Sequence, residues 1–230
     1  MDQPERATLP VVSGQSGRSR VPASAQTGPH EQLAALIERR RGQDFRKPVA
    51  AYSAEAFARF AALCPPGAPL IVDSCCGIGE STRHLAERFP DHFVLGVDQS
   101  ADRLSRAPAL PSNALLLRAD MADVWRLLYD GGYRPARQYM LYPNPWPKIG
   151  QVARRWPAHP VFPLVLALGG VIECRSNWRI YVEEFALAAA LIAGVQAAVE
   201  AYVPDAPMTP FERKYLASGH PLYRCVLAPR

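Results

Sequence analysis

Several absences narrow the reading of this sequence before any motif does. No apolar run among its 230 residues has the roughly 20 residues a membrane helix needs; ALAAALIAGV at 186–195 is too short and follows charged residues. The N-terminus lacks an apolar signal core, which predicts a chain that stays in the cytoplasm. Cysteine is scarce and odd in number: Cys64, Cys75, Cys76, Cys174 and Cys225, mostly in apolar surroundings, as reduced thiols would be. The adjacent Cys75 and Cys76 have no second pair of Cys or His at ligand spacing, so no metal is expected. There are no internal repeats and no third glycine in the loop described below, which weakens a dinucleotide-site reading.

What is present is a full-sized domain. Residues 1–29 are rich in Pro, Ser, Gly, Gln and Arg without apolar period, and are read as a disordered tail; residues 30–230 form one domain. The hydrophobic fraction of 49% is ordinary for a globular chain. The formal net charge of +5 permits a polyanionic partner without requiring one.

From residue 70 short apolar runs alternate with helical patterns. Strands are expected at 70–73, 93–98, 114–120, 137–142 and 171–175, with helices at 80–88, 100–106, 121–129, 157–168 and 178–193. Two earlier helices are expected at 30–41 and, capped by Ser53, up to residue 63. Segments 194–202 and 222–227 read as two last strands with no helix of ordinary length between them, forming an antiparallel pair at one edge. The alternation means an α/β fold: a Rossmann-like, mostly parallel sheet of seven strands, helices on both faces, and an antiparallel edge strand.

In such a sheet ligands bind beyond the carboxyl ends of the strands. The first strand ends DSCCGIGES at 73–81, where Gly77 and Gly79 allow a tight turn and close ligand approach. Asp73 at that turn would repel a pyrophosphate and suits a cationic ligand. Asp98 ends the second strand, nineteen residues after Gly79, where an acid can accept from ribose hydroxyls. Asp120, after the third, is placed to read an adenine amino group. Against this stands the reading that each acid caps the helix after it.

YPNPWPK at 142–148 follows the fourth strand; its prolines stiffen a loop around Asn144. Trp146 is either a stacking surface or a plug against the C-terminal segment. Lys148, Arg154 and Arg155 are expected either to meet phosphates or to form a solvated basic face. His220 reads as a hydrogen-bonding loop or core residue rather than a catalyst.

PNPWPK (143–148), the basic RRW (154–156), SNW (176–178) and TPFE (209–212) with its continuation RKYLASGHPLY (213–223) together resemble the bacterial tRNA (guanine-N7)-methyltransferase family, whose pattern is P-D-P-W-x-K, a basic stretch, T-D-W and T-x-F-E. The likeness runs from about residue 45 to the C-terminus. It implies S-adenosylmethionine as donor and tRNA as partner, with no membrane and no metal, in a monomer or homodimer. It also implies cofactor contacts at Asp73, Asp98 and Asp120, joining Gly77 and Gly79 of the loop read above, the catalytic position at Asn144, and substrate contacts at Lys148, Asn177, Thr209, Pro210, Phe211 and Glu212. Three residues depart from the pattern. Cys75 replaces a loop glycine, so the loop is expected to avoid the backbone angles that favour glycine. Asn144 and Asn177 replace aspartates, removing negative charge from the base pocket. Methyl transfer to an unprotonated guanine N7 needs proximity rather than a base, so these changes bear on base choice. A same-fold methyltransferase with another acceptor, or a non-catalytic binding homologue, are the alternatives.

Overall fold

The computed structural model describes residues 19–43 and 45–229. Most of the segment read as a tail, residues 1–18, lies outside the described residues. Residues 19–29 contain no helix or strand, yet they are fastened to the domain by side-chain hydrogen bonds described below.

Seven strands form one sheet: β1 (Leu70–Ser74), β2 (Phe93–Asp98), β3 (Ala114–Arg118), β4 (Arg137–Leu141), β5 (Val171–Ser176), β6 (Val199–Tyr202) and β7 (Leu222–Leu227). Their spatial order is β3-β2-β1-β4-β5-β7-β6. The first five are parallel. β7 runs antiparallel to both β5 and β6, so the reversed strand lies one place in from the edge that β6 forms. Every residue of β1 and β2 is buried, as continuous apolar strands covered on both faces must be.

The helices are α1 (Leu33–Arg40), α2 (Ala51–Leu63), α3 (Glu80–Arg88), α4 (Ala101–Leu104), α5 (Met121–Asp130), α6 (Phe162–Ala167), α7 (Arg179–Ala193) and α8 (Pro210–Ala217). None among the described residues is long and apolar enough to cross a membrane. The core gathers Phe60 of α2, Trp125 and Leu128 of α5 and Phe185 of α7 with the strand side chains. Gly96 in β2 lets α3 approach: a Cβ there would lie 2.6 Å from Leu116 Cδ2 and collide with Thr82 Oγ1.

Three local expectations are corrected. Ser53 does not cap α2, which begins two residues earlier; it sits inside the helix, buried, and its Oγ accepts the backbone N–H of Asp120 at 3.1 Å. Residues 157–168 are not one helix. A 3-10 turn covers Trp156–Ala158 and α6 starts only at Phe162, because Pro157, Pro160 and Pro163 remove too many N–H donors for one continuous helix. A helix, α8, does separate β6 from β7.

Candidate functional site

Strand order reverses between β2-β1 and β4-β5, and sheets of this kind bind ligands at such a switch point, here the carboxyl ends of β1 and β4. The expected site residues lie in the loops and helix starts on this edge.

Asp73, near the end of β1, is fully buried. Its Oδ2 accepts from Ser81 Oγ and Thr82 Oγ1, each at 2.7 Å. Its Oδ1 is buried with no partner among the described residues. Burial pushes its carboxyl up to about 6, opposed by the two hydroxyls and reinforced by the charge of Asp98. A buried carboxylate oxygen without a donor is expensive for a protein alone and suits a cationic ligand.

The loop after β1 turns through left-handed backbone at Cys75 (φ 60), Gly77 (φ 64) and Gly79 (φ 78). Cys75 thus adopts the angles it was expected to avoid. The turn is held by the end of β2: Cys76 N–H bonds Val97 O at 2.9 Å, and Gly77 N–H bonds Asp98 Oδ2 at 2.9 Å. A non-glycine residue held there stores strain of about 1 kcal/mol or more. Burial, then the charge of Asp98, pushes the Cys75 thiol up to about 12, so it is an inert packing group rather than a nucleophile.

Asp98, almost buried, fixes the loop while capping the next turn: its Oδ1 accepts from Ser100 N–H at 2.8 Å, and Arg103 reaches Oδ2 at 3.3 Å. Asp120 caps α5 through Ala122 N–H at 3.0 Å, and its Oδ2 accepts from Lys47 Nζ at 3.1 Å. The capping reading therefore describes one oxygen of Asp120, Asp98 in part and Asp73 not at all.

The loop 142–148 is strained at two points, Tyr142 (φ 52) and Trp146 (φ 45). Asn144 is exposed, and its Oδ1 accepts the N–H of Trp146 at 3.3 Å in a local turn. Trp146 carries the Arg154 guanidinium over its ring at 4.8 Å, so it stacks on the basic stretch rather than plugging the C-terminal segment. Lys148 is exposed.

Arg155 overturns an expectation. It meets no solvent and cannot meet phosphate; its side chain and that of Glu184 are both 0% exposed. Its guanidinium donates to Trp146 O at 3.1 and 2.9 Å, to Gln26 Oε1 at 2.7 Å and to Glu184 Oε1 at 2.5 Å, over the Trp178 ring at 4.9 Å. It is a clamp that ties α7 to the Asn144 loop and to residues 24–26. Ser24 Oγ adds a bond to Pro147 O at 2.7 Å, and His30 N–H one to Glu184 at 2.9 Å. The only local hint of this clamp is a glutamate, Glu184, inside an otherwise apolar helix face.

Beyond β5, Asn177 is nearly buried, and its amide meets His220 Nδ1 at 3.1 Å, while His220 Nε2 meets Ser19 O at 3.1 Å. Thr209 is the N-cap of α8, its Oγ1 accepting Glu212 N–H at 2.9 Å. Glu212 is buried completely: it accepts from Tyr142 Oη at 2.6 Å, Arg175 at 3.1 Å and Met208 N–H at 2.6 Å. It anchors the start of the Asn144 loop to α8 and has no face toward a base. Tyr142 and Arg175 are thus site-building residues that sequence reading passed over; a charged Arg in a buried strand was the available signal. Pro210 and Phe211 are exposed, and Phe211 stacks on Tyr215, which stacks on His220 and tilts against Tyr142. Arg213 reaches Glu80, the first residue of α3, at 2.7 Å, fastening α8 beside the glycine loop. No cluster able to hold a metal occurs among the described residues.

Comparisons with known proteins agree with this geometry. A curated relative from Leifsonia xyli, a tRNA (guanine-N(7)-)-methyltransferase, is 30% identical over 169 residues, 68% of this chain and 74% of the relative. One from Nocardioides sp., of the same name, is 32% identical over 163 residues, covering 66% and 64%. Among solved structures, the 16S rRNA methyltransferase KamB superposes with a TM-score of 0.56 at 17% identity over 80% of this chain and 97% of that one. An antibiotic-related methyltransferase gives 0.51 at 15% identity over 79% and 96%. These structures share the fold. A family model described as "putative methyltransferase" matches residues 67–225, from just before β1 into β7. With that span containing the glycine loop, the three strand-end acids and the Asn144 loop, the chain belongs to this methyltransferase family.

Proposed function

We propose that this protein transfers the methyl group of S-adenosylmethionine to N7 of a guanine in tRNA. The observation that carries the reading is the unpartnered, fully buried Asp73 Oδ1 beside the left-handed glycine loop, in a chain of methyltransferase family whose relatives bear that activity in their names. The residues fit the donor. Asp73 would face its cationic portion, the N–H groups around Gly77 and Gly79 would lie against it, Asp98 would accept from its ribose, and its adenine amino group would compete with Lys47 for Asp120. Bound there, the donor would supply a methyl group on a positively charged sulfur.

The protein's remaining task is orientation. Guanine N7 is a free lone pair at neutral pH, so no side chain has to take a proton; alignment and exclusion of water supply the rate. The stiff loop presents Asn144, Phe211 offers a stacking face, and Arg154, Lys148 and the exposed Arg39 of α1 would contact phosphates. The reading gives a cytoplasmic enzyme, a monomer or homodimer, that needs no metal.

The test is tritiated methyl transfer to bulk tRNA lacking the modification, followed by nucleoside mass spectrometry. The expected product is 7-methylguanosine. A different methylated nucleoside would reassign the acceptor. Calorimetric binding of the donor with no transfer to any RNA, restored by the Asn144→Asp, Asn177→Asp double variant, would mark a protein that has lost the reaction.

A further inference from the structure

The loop 142–148 cannot hold its own shape. Pro143, Pro145 and Pro147 have no N–H to donate, and Tyr142 (φ 52) and Trp146 (φ 45) sit in left-handed backbone. Strain of that kind persists only where the surroundings over-determine it. The Tyr142 end is held from the sheet and α8: its N–H bonds Arg175 O at 2.9 Å, and its hydroxyl bonds Glu212 at 2.6 Å. The Trp146 end is held from elsewhere. Trp146 O accepts twice from Arg155, at 3.1 and 2.9 Å, and Pro147 O accepts from Ser24 Oγ at 2.7 Å. Arg155 is itself set by Gln26, whose Oε1 accepts from it at 2.7 Å and whose Nε2 donates to Glu184 at 3.3 Å and Gly28 O at 3.2 Å. Ser24 Oγ also accepts the Gln26 N–H at 3.1 Å, so the two residues share one turn. Farther back, Ser19 O meets His220 Nε2 at 3.1 Å. Ser24 and Gln26 thus belong to a segment, 19–28, without helix or strand, which precedes the span 67–225 matched by the family model.

We propose that residues 19–28 are a positioning strap: Ser24 directly, and Gln26 through Arg155, hold the Trp146 end of the loop in its strained shape, so that the RNA meets a preformed loop only while the strap is docked. This rests on the methyl-transfer reading above and adds to it a part of the chain outside the matched span. The strap supports the loop rather than covering it. Its bonds go to main-chain carbonyls and to the Arg155 guanidinium, while the Asn144 side chain stays exposed and the Trp146 ring carries Arg154. Residues 19–29 alternate between half-buried and exposed, so few apolar contacts fix the strap and its docking depends on these hydrogen bonds. It can leave the loop without unfolding the sheet.

The experiment compares the full chain with Ser24→Ala, Gln26→Ala and the double variant. Hydrogen exchange needs no activity: residues 142–152 of the double variant should exchange about tenfold faster, the worth of one or two lost hydrogen bonds, while β1 and β2 exchange as before. Unchanged exchange at 142–152, or faster exchange throughout the sheet, overturns the proposal. Methyl transfer is the second readout. In the double variant kcat/KM for tRNA should fall about tenfold, with the donor dissociation constant unchanged within about twofold, because no bond to the glycine loop or its acids is lost. Ser24→Thr keeps the hydroxyl and should stay near wild type. A parallel loss of donor affinity, or a Ser24→Thr as impaired as Ser24→Ala, overturns the proposal; so does a rise in kcat/KM, which would make the strap a cover. Failure of the functional reading looks different: the unaltered protein would leave tRNA unmethylated, while the exchange readout still decides whether the strap holds the loop.

Discussion

Replacing Arg155 by Met measures what the buried clamp contributes. The side chain is unexposed and its guanidinium bonds Glu184, Gln26 and, twice, Trp146 O. Methionine fills similar space without those donors. Glu184 keeps His30 N–H at 2.9 Å and Gln26 Nε2 at 3.3 Å on Oε1, while its Oε2 has no partner among the described residues. A carboxylate left buried without its cation costs about 3–5 kcal/mol. For a domain of this size each kcal/mol moves Tm by about 2–4 °C, so Arg155→Met should melt roughly 6–20 °C lower. Removing both charges, Arg155→Met with Glu184→Met, should recover a good part of the loss, since the desolvation penalty leaves with the pair. Recovery stays incomplete because Trp146 O and His30 N–H still lack partners. The assay is thermal and urea unfolding of the wild type, both single variants and the double. If either single variant lies within about 1 kcal/mol of wild type, the range of an exposed ion pair, the clamp is not a buried one and the reasoning fails.

Asp73 predicts a pH dependence. Its folded value, about 6, lies above the ordinary 3.8, so the folded state holds the proton more tightly than the unfolded chain. The resulting penalty is absent below about pH 4 and complete above about pH 6, where it reaches about 3 kcal/mol. Asp73→Asn should therefore be the more stable protein at pH 8 by an amount that shrinks at pH 5, while losing donor affinity; a gap that does not widen with pH in urea unfolding refutes this. Donor binding to wild type at pH 6 should release a proton, read by calorimetry in buffers of different ionisation enthalpy. Lys47→Met should lower Tm by only about 1–2 °C and tighten donor binding about threefold, because one exposed ion pair of about 0.6 kcal/mol no longer occupies Asp120; weaker binding would show that Lys47 helps to hold the donor. Gly96→Ala should cost about 1–3 kcal/mol in urea unfolding, since the new methyl meets Thr82 and Leu116 on a packed face; a neutral result would mean α3 can shift.

The sequence by itself determined the alternating strands and helices, the glycine loop, the three strand-end acids and the motifs of the Asn144 loop and of α8. These are local signals: period, turn chemistry and short motifs are written in neighbouring residues. The elements Glu80–Arg88, Phe93–Asp98 and Leu222–Leu227 stand where the pattern put them. Only the tertiary structure decided what the charged residues do. Arg155 reads as a surface cation, and becomes a buried clamp because Glu184 arrives from 29 residues away. Glu212 reads as a substrate contact, and is consumed by Tyr142 and Arg175 from 70 and 37 residues away. Ser53 reads as a cap until Asp120 meets it across 67 residues. Cys75 reads as a residue that avoids left-handed angles, yet two bonds from its loop to the end of β2, 21 residues away in the case of Gly77 and Asp98, hold the turn. A side chain's partner depends on which strands lie next to each other, and that order follows from burying both faces of the sheet at once, a condition no local window of sequence contains.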